Sequence, residues 1–230
     1  GHGAFSKNKT LEILIGYSLH SLLLVPYFSW QRSHAVHHRF TNNVTNGETH
    51  VPLVIKGNGI TEKGGGEKEL HFSNSIGKKN YGILQLVLHL LFGWPAYLFT
   101  GSTGGIKYGI SNHFWPIKPF SNSLWPSTWT NKVWISDIGV GLTLLGIFFF
   151  VFKYGLFPVI SMYVGPLLVV NSWLVIYTWL HHTESDVPHL SSTGFTFMRG
   201  AFLSIDRPYG KILNFLHHNI GSSHVVHHVC

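Results

Sequence analysis

The sequence predicts an all-α integral membrane protein, with a transmembrane helical hairpin and a histidine-rich cap on the cytosolic side. Charged residues make up only 11% of the 230 residues and aromatic residues 15%, and the mean hydropathy is +0.18, a composition typical of membrane proteins. Two long apolar runs lie close together in the second half of the chain. The motif H-x-x-H-H stands once before these runs and once after them.

The two histidine motifs indicate a metal site. In an α-helix, positions i, i+3 and i+4 share one face, so each motif projects three imidazoles in one direction. Imidazole is the commonest metal-binding side chain and suits iron, copper, zinc and nickel. One copy could be a coincidence or a surface tag, whereas two copies indicate two halves of one polynuclear site. The six histidines are His34, His37, His38, His224, His227 and His228.

The apolar runs at about 133–152 and 158–180 predict two membrane spans, because about 20 apolar residues cross a bilayer. Only five residues separate them, so they form a hairpin that returns the chain to its starting side. The two histidine motifs can meet only if an even number of crossings lies between them. The apolar segment at about 81–100, which polar residues, glycine and proline interrupt, is therefore expected to lie at the interface without crossing.

The apolar segment at about 11–30 is expected to lie in the membrane interface or to dip into it. It is nearly long enough to span, but a single crossing would place His2 and His34 on opposite sides of the membrane. The whole of residues 1–230 is expected to be one enzyme domain. The chain begins with Gly1 and has no signal-peptide pattern, so it is expected to be a fragment whose ends both cut through functional motifs.

The net charge of +7 is concentrated in the connecting segments, notably in a lysine-rich, glycine-rich stretch at 53–80 that is expected to be an exposed loop. This excess follows the positive-inside rule and places the histidine motifs in the cytosol. No compact arginine-rich face is present, which argues against nucleic-acid binding. The single cysteine, Cys230, excludes an internal disulfide framework and a cysteine-ligated metal site within this chain.

No glycine-rich phosphate loop, nucleophile elbow or pair of thiols stands out. A nearly all-histidine site suits oxygen activation at iron or copper, so the pattern predicts that a metal performs the chemistry on a lipid. Asp206, Glu48 and one of His217 and His218 are candidates for side chains that support the ligands by hydrogen bonds.

These motifs resemble those of the membrane fatty acid desaturases, and the resemblance covers nearly the whole chain in the family's order. Gly1–Ser6 (GHGAFS) is similar to the end of the first histidine box, and Leu22–His38 to the passage into the second. Further matches are Thr178–Thr183 (TWLHHT), Arg199–Ala201, Ile205–Gly210 and His218–Ile220, which stands before the third box at His224. The specific resemblance is to the Δ12/ω3 branch and is fungal-like.

The resemblance implies a di-iron centre with O2 as co-substrate, ligated by histidines from three boxes and by one outside them. Carried over by position, the ligands are His2, His34, His37, His38, His182, His224, His227 and His228, with His218 and Asp206 in support. It also implies a fatty acyl substrate on a phospholipid or coenzyme A. Cytochrome b5 and its reductase would supply electrons, and the location would be the endoplasmic reticulum.

Two departures from the family's pattern bear on activity and regiochemistry. The first histidine of the first box is missing, so this fragment is expected to be inactive. Residues His217–Gly221 are similar to the ω3 members, which leaves Δ12 desaturation favoured and ω3 (Δ15) desaturation or acyl hydroxylation as alternatives. From a different class, a histidine-rich metal transporter would carry ionisable residues inside the spans, and a non-catalytic sensor would keep only a vestigial site.

Overall fold

A computed structural model describes residues 5–52, 74–105, 107–120, 123–184 and 186–229. His2 and most of the predicted loop at 53–80 lie outside these ranges. Within them the chain is helical and forms no strand, only an isolated bridge between Asn43 and Leu190. The helices are α1 (Lys9–Leu22), α2 (Tyr27–Arg39), α3 (Lys78–Thr100), α4 (Thr130–Tyr154), α5 (Leu156–Val159), α6 (Gly165–His182), α7 (Phe197–Phe202), α8 (Lys211–Leu216) and α9 (His224–Val229).

The predicted hairpin corresponds to α4 and to the continuous run of α5, a π turn at Ile160–Val164 and α6. Both Ser127–Tyr154 and Leu156–His182 are long and apolar enough to cross a membrane. They meet at Gly155, whose φ of +85° suits a residue without a Cβ. Phenylalanines on the far half of α4 are more than half exposed, as expected for a lipid-facing surface. The all-helical membrane architecture is thus confirmed.

The segment at 11–30 is not one helix but a sharp bend between α1 and α2, whose axes differ by 102°. The break falls before Pro26, which caps the start of α2, where a residue without a backbone N–H is tolerated. α1 packs closely on α4: the Tyr17 hydroxyl donates to the Ile135 carbonyl at 2.7 Å, and Gly139 faces Ser21. The interfacial position of this segment stays a prediction.

α3 runs beneath the second histidine box. Trp94, Tyr97 and Leu98 pack against Val25 in the buried apolar cluster at its C-terminal end, and Ser172 of α6 donates to the Leu90 carbonyl at 3.0 Å. By length and composition α3 is also able to cross a membrane. The expectation that the segment at 81–100 stays at the interface is therefore still a prediction.

The segment after α6 packs against the turn after α2 and so joins the parts of the chain that precede and follow the hairpin. Leu190 donates its N–H to the Asn42 carbonyl at 2.7 Å and accepts from Val44 at 3.0 Å. The Asn42 amide donates to the Gly200 carbonyl at 3.0 Å. A Cβ on Gly200 would lie 2.3 Å from the Thr41 carbonyl oxygen, so this close approach requires glycine.

Candidate metal centre

The two H-x-x-H-H motifs meet in the folded chain. α2 and α9 each present their three histidines on one face, and the end of α6 adds His182. Ring nitrogens of six of these residues fall into two groups, each with its ligand atoms within 4.8 Å of one another. The first group is His34, His38 and His227, and the second is His37, His182 and His228.

The grouping interleaves the motifs. α2 gives its i and i+4 histidines to the first group and the intervening His37 to the second. α9 gives its i+3 histidine, His227, to the first group and its i+4 histidine, His228, to the second. His38 and His228, from different groups, have ring centroids only 4.5 Å apart. Two ligand sets therefore lie side by side, as two neighbouring metal ions require.

His224 extends the second group. Its Nε2 lies 3.0 Å from His182 Nε2 and 3.3 Å from His228 Nε2, and the latter two are also 3.3 Å apart. Metal–nitrogen bonds of about 2.1 Å, at angles of about 90–109°, separate two ligand nitrogens by about 3.0–3.4 Å. The three nitrogens therefore fit ligands of one ion. The Nδ1 atoms of His37 and His224 are buried without a hydrogen-bond partner among the described residues.

Thr41 determines which ring nitrogen of His228 carries the proton. The Thr41 hydroxyl donates its one proton to the His37 carbonyl at 2.6 Å, so it can only accept at its other contact, His228 Nδ1 at 3.1 Å. His228 therefore carries its proton on Nδ1 and directs the lone pair of Nε2 toward the group. Sequence analysis missed Thr41, although it lies in the turn directly after the second box.

His182, rather than its neighbour His181, lies in the metal group because both ring nitrogens of His181 are already used. His181 Nδ1 donates to the Ile205 carbonyl, and Nε2 accepts from the Tyr209 hydroxyl at 3.2 Å. The His181 ring then packs on His224, with centroids 4.3 Å apart. His181 thus supports the site by contact.

Asp206 acts on the third box through the backbone. Its Oδ1 accepts from the Val225 N–H at 2.9 Å, which satisfies a free donor at the start of α9. No contact of Asp206 with a ligand imidazole is seen in the described chain. His218 is exposed and no described contact joins it to either group, so its supporting role stays a prediction without structural support.

Burial keeps the imidazoles neutral. Removal of His224 from water, together with the neighbouring histidines, lowers its pKa to about 3. A neutral imidazole has a free lone pair, so at neutral pH this group is ready to bind a cation without first losing a proton.

A cavity of about 1630 Å³ opens beside the histidine groups, larger than the roughly 300–1,000 Å³ of most small-molecule sites. Leu88 and Phe92 of α3 and Leu174 and Val175 of α6 form apolar walls, and histidines of both groups also line the cavity. Glu48, also in its wall, is fully buried. The arrangement suits a long apolar ligand that reaches the histidine groups.

The profile of one family, "fatty acid desaturase", matches residues 1–230. The chain belongs to the fatty acid desaturase family. The expected family is thereby confirmed, and with it an all-helical fold that combines candidate membrane spans with buried histidine clusters.

Several curated desaturases are similar over the full length of this chain. A Δ12 fatty acid desaturase of Calendula officinalis is 39% identical over 229 residues, which cover 100% of this chain and 56% of the relative. One of Mortierella alpina is 34% identical over 234 residues, 58% of its length. The endoplasmic reticulum isozyme 2 of the ω6 fatty acid desaturase of Glycine max is 36% identical over 232 residues, 56% of its length. This desaturase chain thus spans somewhat more than half of these relatives. No solved structure matches.

Proposed function

We propose that the protein is a Δ12 fatty acid desaturase, which uses O2 to convert an oleoyl chain into a linoleoyl chain. The observation that carries this proposal is the pair of adjacent three-histidine groups at the end of a large apolar cavity, in a chain of the desaturase family. The Δ12 position is supported by the names of relatives that are 34–39% identical. The acyl carrier is a phospholipid or coenzyme A.

Two iron ions are the proposed cofactors. His34, His38 and His227 would hold one, and His37, His182, His224 and His228 the other, with His2, outside the described residues, as a further ligand. When bound, the iron ions supply the activation of O2 and the removal of two hydrogens from adjacent carbons. The chain's own residues would bind the substrate: Leu88, Phe92 and Leu174 offer apolar surface to the acyl chain.

The remaining parts of the proposal concern partners and location. Cytochrome b5 and its reductase would deliver electrons, and the histidine boxes would face the cytosol from the endoplasmic reticulum. The name of the soybean relative, an endoplasmic reticulum isozyme, supports that location.

The test is the fatty-acid profile of a yeast without polyunsaturated lipids that expresses the full-length protein. Linoleate is expected to appear, and His37→Ala and His227→Ala should each abolish it while the protein still accumulates in membranes. Linolenate that forms only on feeding linoleate would replace Δ12 by ω3. Hydroxy-acyl products without dienes would point to a hydroxylase, and metal uptake with unchanged lipids would contradict desaturation altogether.

A further inference from the structure

Four buried polar side chains form a hydrogen-bonded network next to the second histidine box, outside both metal groups. Glu48 Oε1 lies 2.6 Å from the Tyr97 hydroxyl, and that hydroxyl lies 3.0 Å from Ser33 Oγ. Ser33 Oγ is 3.2 Å from His113 Nε2, and His113 Nδ1 is 3.2 Å from the Leu98 carbonyl oxygen. All four side chains are buried, so they must satisfy one another.

The Leu98 carbonyl, at one end of this series of hydrogen bonds, determines which atom donates and which accepts at each contact. A carbonyl only accepts, so His113 donates from Nδ1 and its neutral Nε2 accepts from the Ser33 hydroxyl. Ser33 also lies 3.3 Å from the Trp30 carbonyl, but His113 Nε2 has no other donor among the described residues. Ser33 Oγ then accepts from Tyr97, and the Tyr97 oxygen accepts from Glu48.

The four contacts need four protons, and Tyr97, Ser33 and His113 supply one each. The fourth sits on Glu48 as a carboxylic acid, or on His113 as an imidazolium facing an ionised Glu48. Burial disfavours both charges: it raises the pKa of Glu48 to about 8 and lowers that of His113 to about 3. Within the described ranges no lysine or arginine pairs with Glu48. The proton therefore resides on Glu48.

Glu48 also faces the reaction cavity. It lines the same cavity as His37 and His182, and its second oxygen, Oε2, is buried without a hydrogen-bond partner among the described residues. The proposed desaturation joins CH2–CH2, O2, two electrons and two protons into CH=CH and two waters. A one-electron carrier protein would supply the electrons, and the two protons need donor groups that line this cavity.

We propose that Glu48 is a proton donor of this cavity, a neutral carboxylic acid that supplies one of the two protons consumed when O2 is reduced to water. Tyr97, Ser33 and His113 are positioning residues that keep the acid protonated, and a rotation of the carboxyl group would turn its proton from Tyr97 toward the cavity. The donor role rests on the proposed function, whereas the protonated state of Glu48 rests on the hydrogen-bond geometry and on the burial of the carboxyl group without a cationic partner among the described residues.

Infrared difference spectroscopy of the full-length protein in membranes at neutral pH tests the protonated state. The expected result is a C=O stretching band of a protonated carboxyl that shifts in D2O and disappears in Glu48→Gln. Tyr97→Phe should move the band to higher frequency, because the acid loses its acceptor. Asp137→Asn is the matched control, since Asp137 Oδ1 is also buried without a described partner. The lack of a band sensitive to position 48 would overturn the proposal.

Turnover of the same variants tests the donor role. Glu48→Gln should bind as much iron and acyl substrate as the wild type, yet lose about 100-fold in kcat and release peroxide from the electrons it accepts. Glu48→Asp, which keeps a carboxylic acid, should recover part of the rate. Wild-type kcat in Glu48→Gln would refute the donor role. If the wild-type protein forms no unsaturated product, the proposed function is refuted instead. The infrared band still shows, independently of turnover, whether the Glu48 carboxyl group is protonated.

Discussion

At His228 a single hydrogen bond decides which ring nitrogen is free to bind a metal. Thr41 can only accept from Nδ1, since its own proton goes to the His37 carbonyl, so Nε2 is left for the ion. The same logic excludes His181, whose two nitrogens are occupied by Ile205 and Tyr209. Ligand choice is thus made by polar neighbours as much as by the histidines themselves.

Thr41→Val should weaken metal binding at the second group about 10- to 100-fold, the usual effect of losing a partner that orients a ligand imidazole. Valine keeps the shape of threonine but cannot accept from His228. Iron affinity, from titration of the metal-free full-length protein against a competing chelator, measures the change. Thr41→Ser restores the hydroxyl and should bind like the wild type. Equal affinity in the valine variant would contradict the assignment of the proton to Nδ1.

Acidification should destabilise the protein through His113. Its folded pKa is lowered to about 3 by burial, against about 6.5 when unfolded. Its contribution is therefore fully present above pH 6.5 and is lost as the pH falls toward 3, by about 1.4 kcal/mol per pH unit. Melting temperatures between pH 7 and pH 5 should fall more steeply for the wild type than for His113→Gln. Parallel curves would show that His113 takes up its proton in the folded state.

At the scale of helices, the site depends on a close approach between α1 and α4. A Cβ on Gly139 would lie 2.3 Å from Ser21 Oγ and 2.7 Å from the Tyr17 hydroxyl, which the Ile135 carbonyl already holds in place. Small residues permit such contacts between helices in a bilayer. Because α1 leads into α2 across the sharp bend, this contact positions the second histidine box.

Gly139→Ala should therefore lower stability by about 1–3 kcal/mol through overpacking, which outweighs the gain of about 1 kcal/mol in helix propensity. Gly141→Ala is the matched control, two residues along the same helix with nothing near its Cβ, and should be neutral or slightly stabilising. Thermal unfolding of the two variants in detergent measures the difference. Equal melting temperatures would show that α1 moves freely away from α4.

The position of α3 leads to a topology prediction. Its C-terminal end lies beside Glu48 and Ser33, so a crossing by α3 would oblige residues 53–77 to cross as well. Those residues are rich in lysine, glutamate and glycine, a composition that a bilayer does not accept. Both ends of α3 are therefore expected on the side of the histidine boxes.

Cysteine labelling from either side of sealed microsomes tests this topology, in a background in which native cysteines are replaced. Lys79→Cys and Ser192→Cys should label from the same side. Tyr154→Cys, at the far end of α4, is the control and should label only from the other side. Labelling of position 79 together with position 154 would mean that α3 spans the membrane.

At the scale of the whole molecule, the metal groups join parts of the chain that are far apart in sequence. α2, the end of α6 and α9 supply ligands across gaps of more than a hundred residues between His38 and His182 and of about forty between His182 and His224. A cross-link that closes a long loop stabilises the folded protein, because it lowers the conformational entropy of the unfolded chain. The described helices α7 and α8 lie between the second and third of these attachment points.

Chelation of the metal should lower the melting temperature and raise hydrogen exchange in residues 183–229, while the hairpin of α4 and α6 stays protected by its own packing. Zn²⁺ should restore the protection without restoring desaturation, because it fills the ligands but does not cycle between oxidation states. Unchanged exchange after complete metal loss would mean that the histidines meet without help from the ions.

Sequence alone could predict that each H-x-x-H-H presents three imidazoles on one face, because helical spacing is local. It could not predict that His37 groups with His182 and His228 rather than with His34 and His38, since the grouping depends on how α2 and α9 are oriented in space. The family resemblance, not periodicity, favoured His182 over His181. Nor could sequence show the role of His113, which has no partner at ligand spacing and acquires its neighbours only through tertiary packing.

Because each histidine motif contributes ligands to both groups, the binding of one metal ion affects the binding of the other. Each H-x-x-H-H helix contributes to both ligand sets, so the first ion to bind immobilises both helices and lowers the entropic cost for the second. Binding should then be cooperative, with a sigmoidal dependence on free iron and few molecules that hold a single ion. With the two proposed iron ions, a cell short of iron would contain a mixture of metal-free and fully loaded protein, and activity would fall in proportion to the number of loaded molecules.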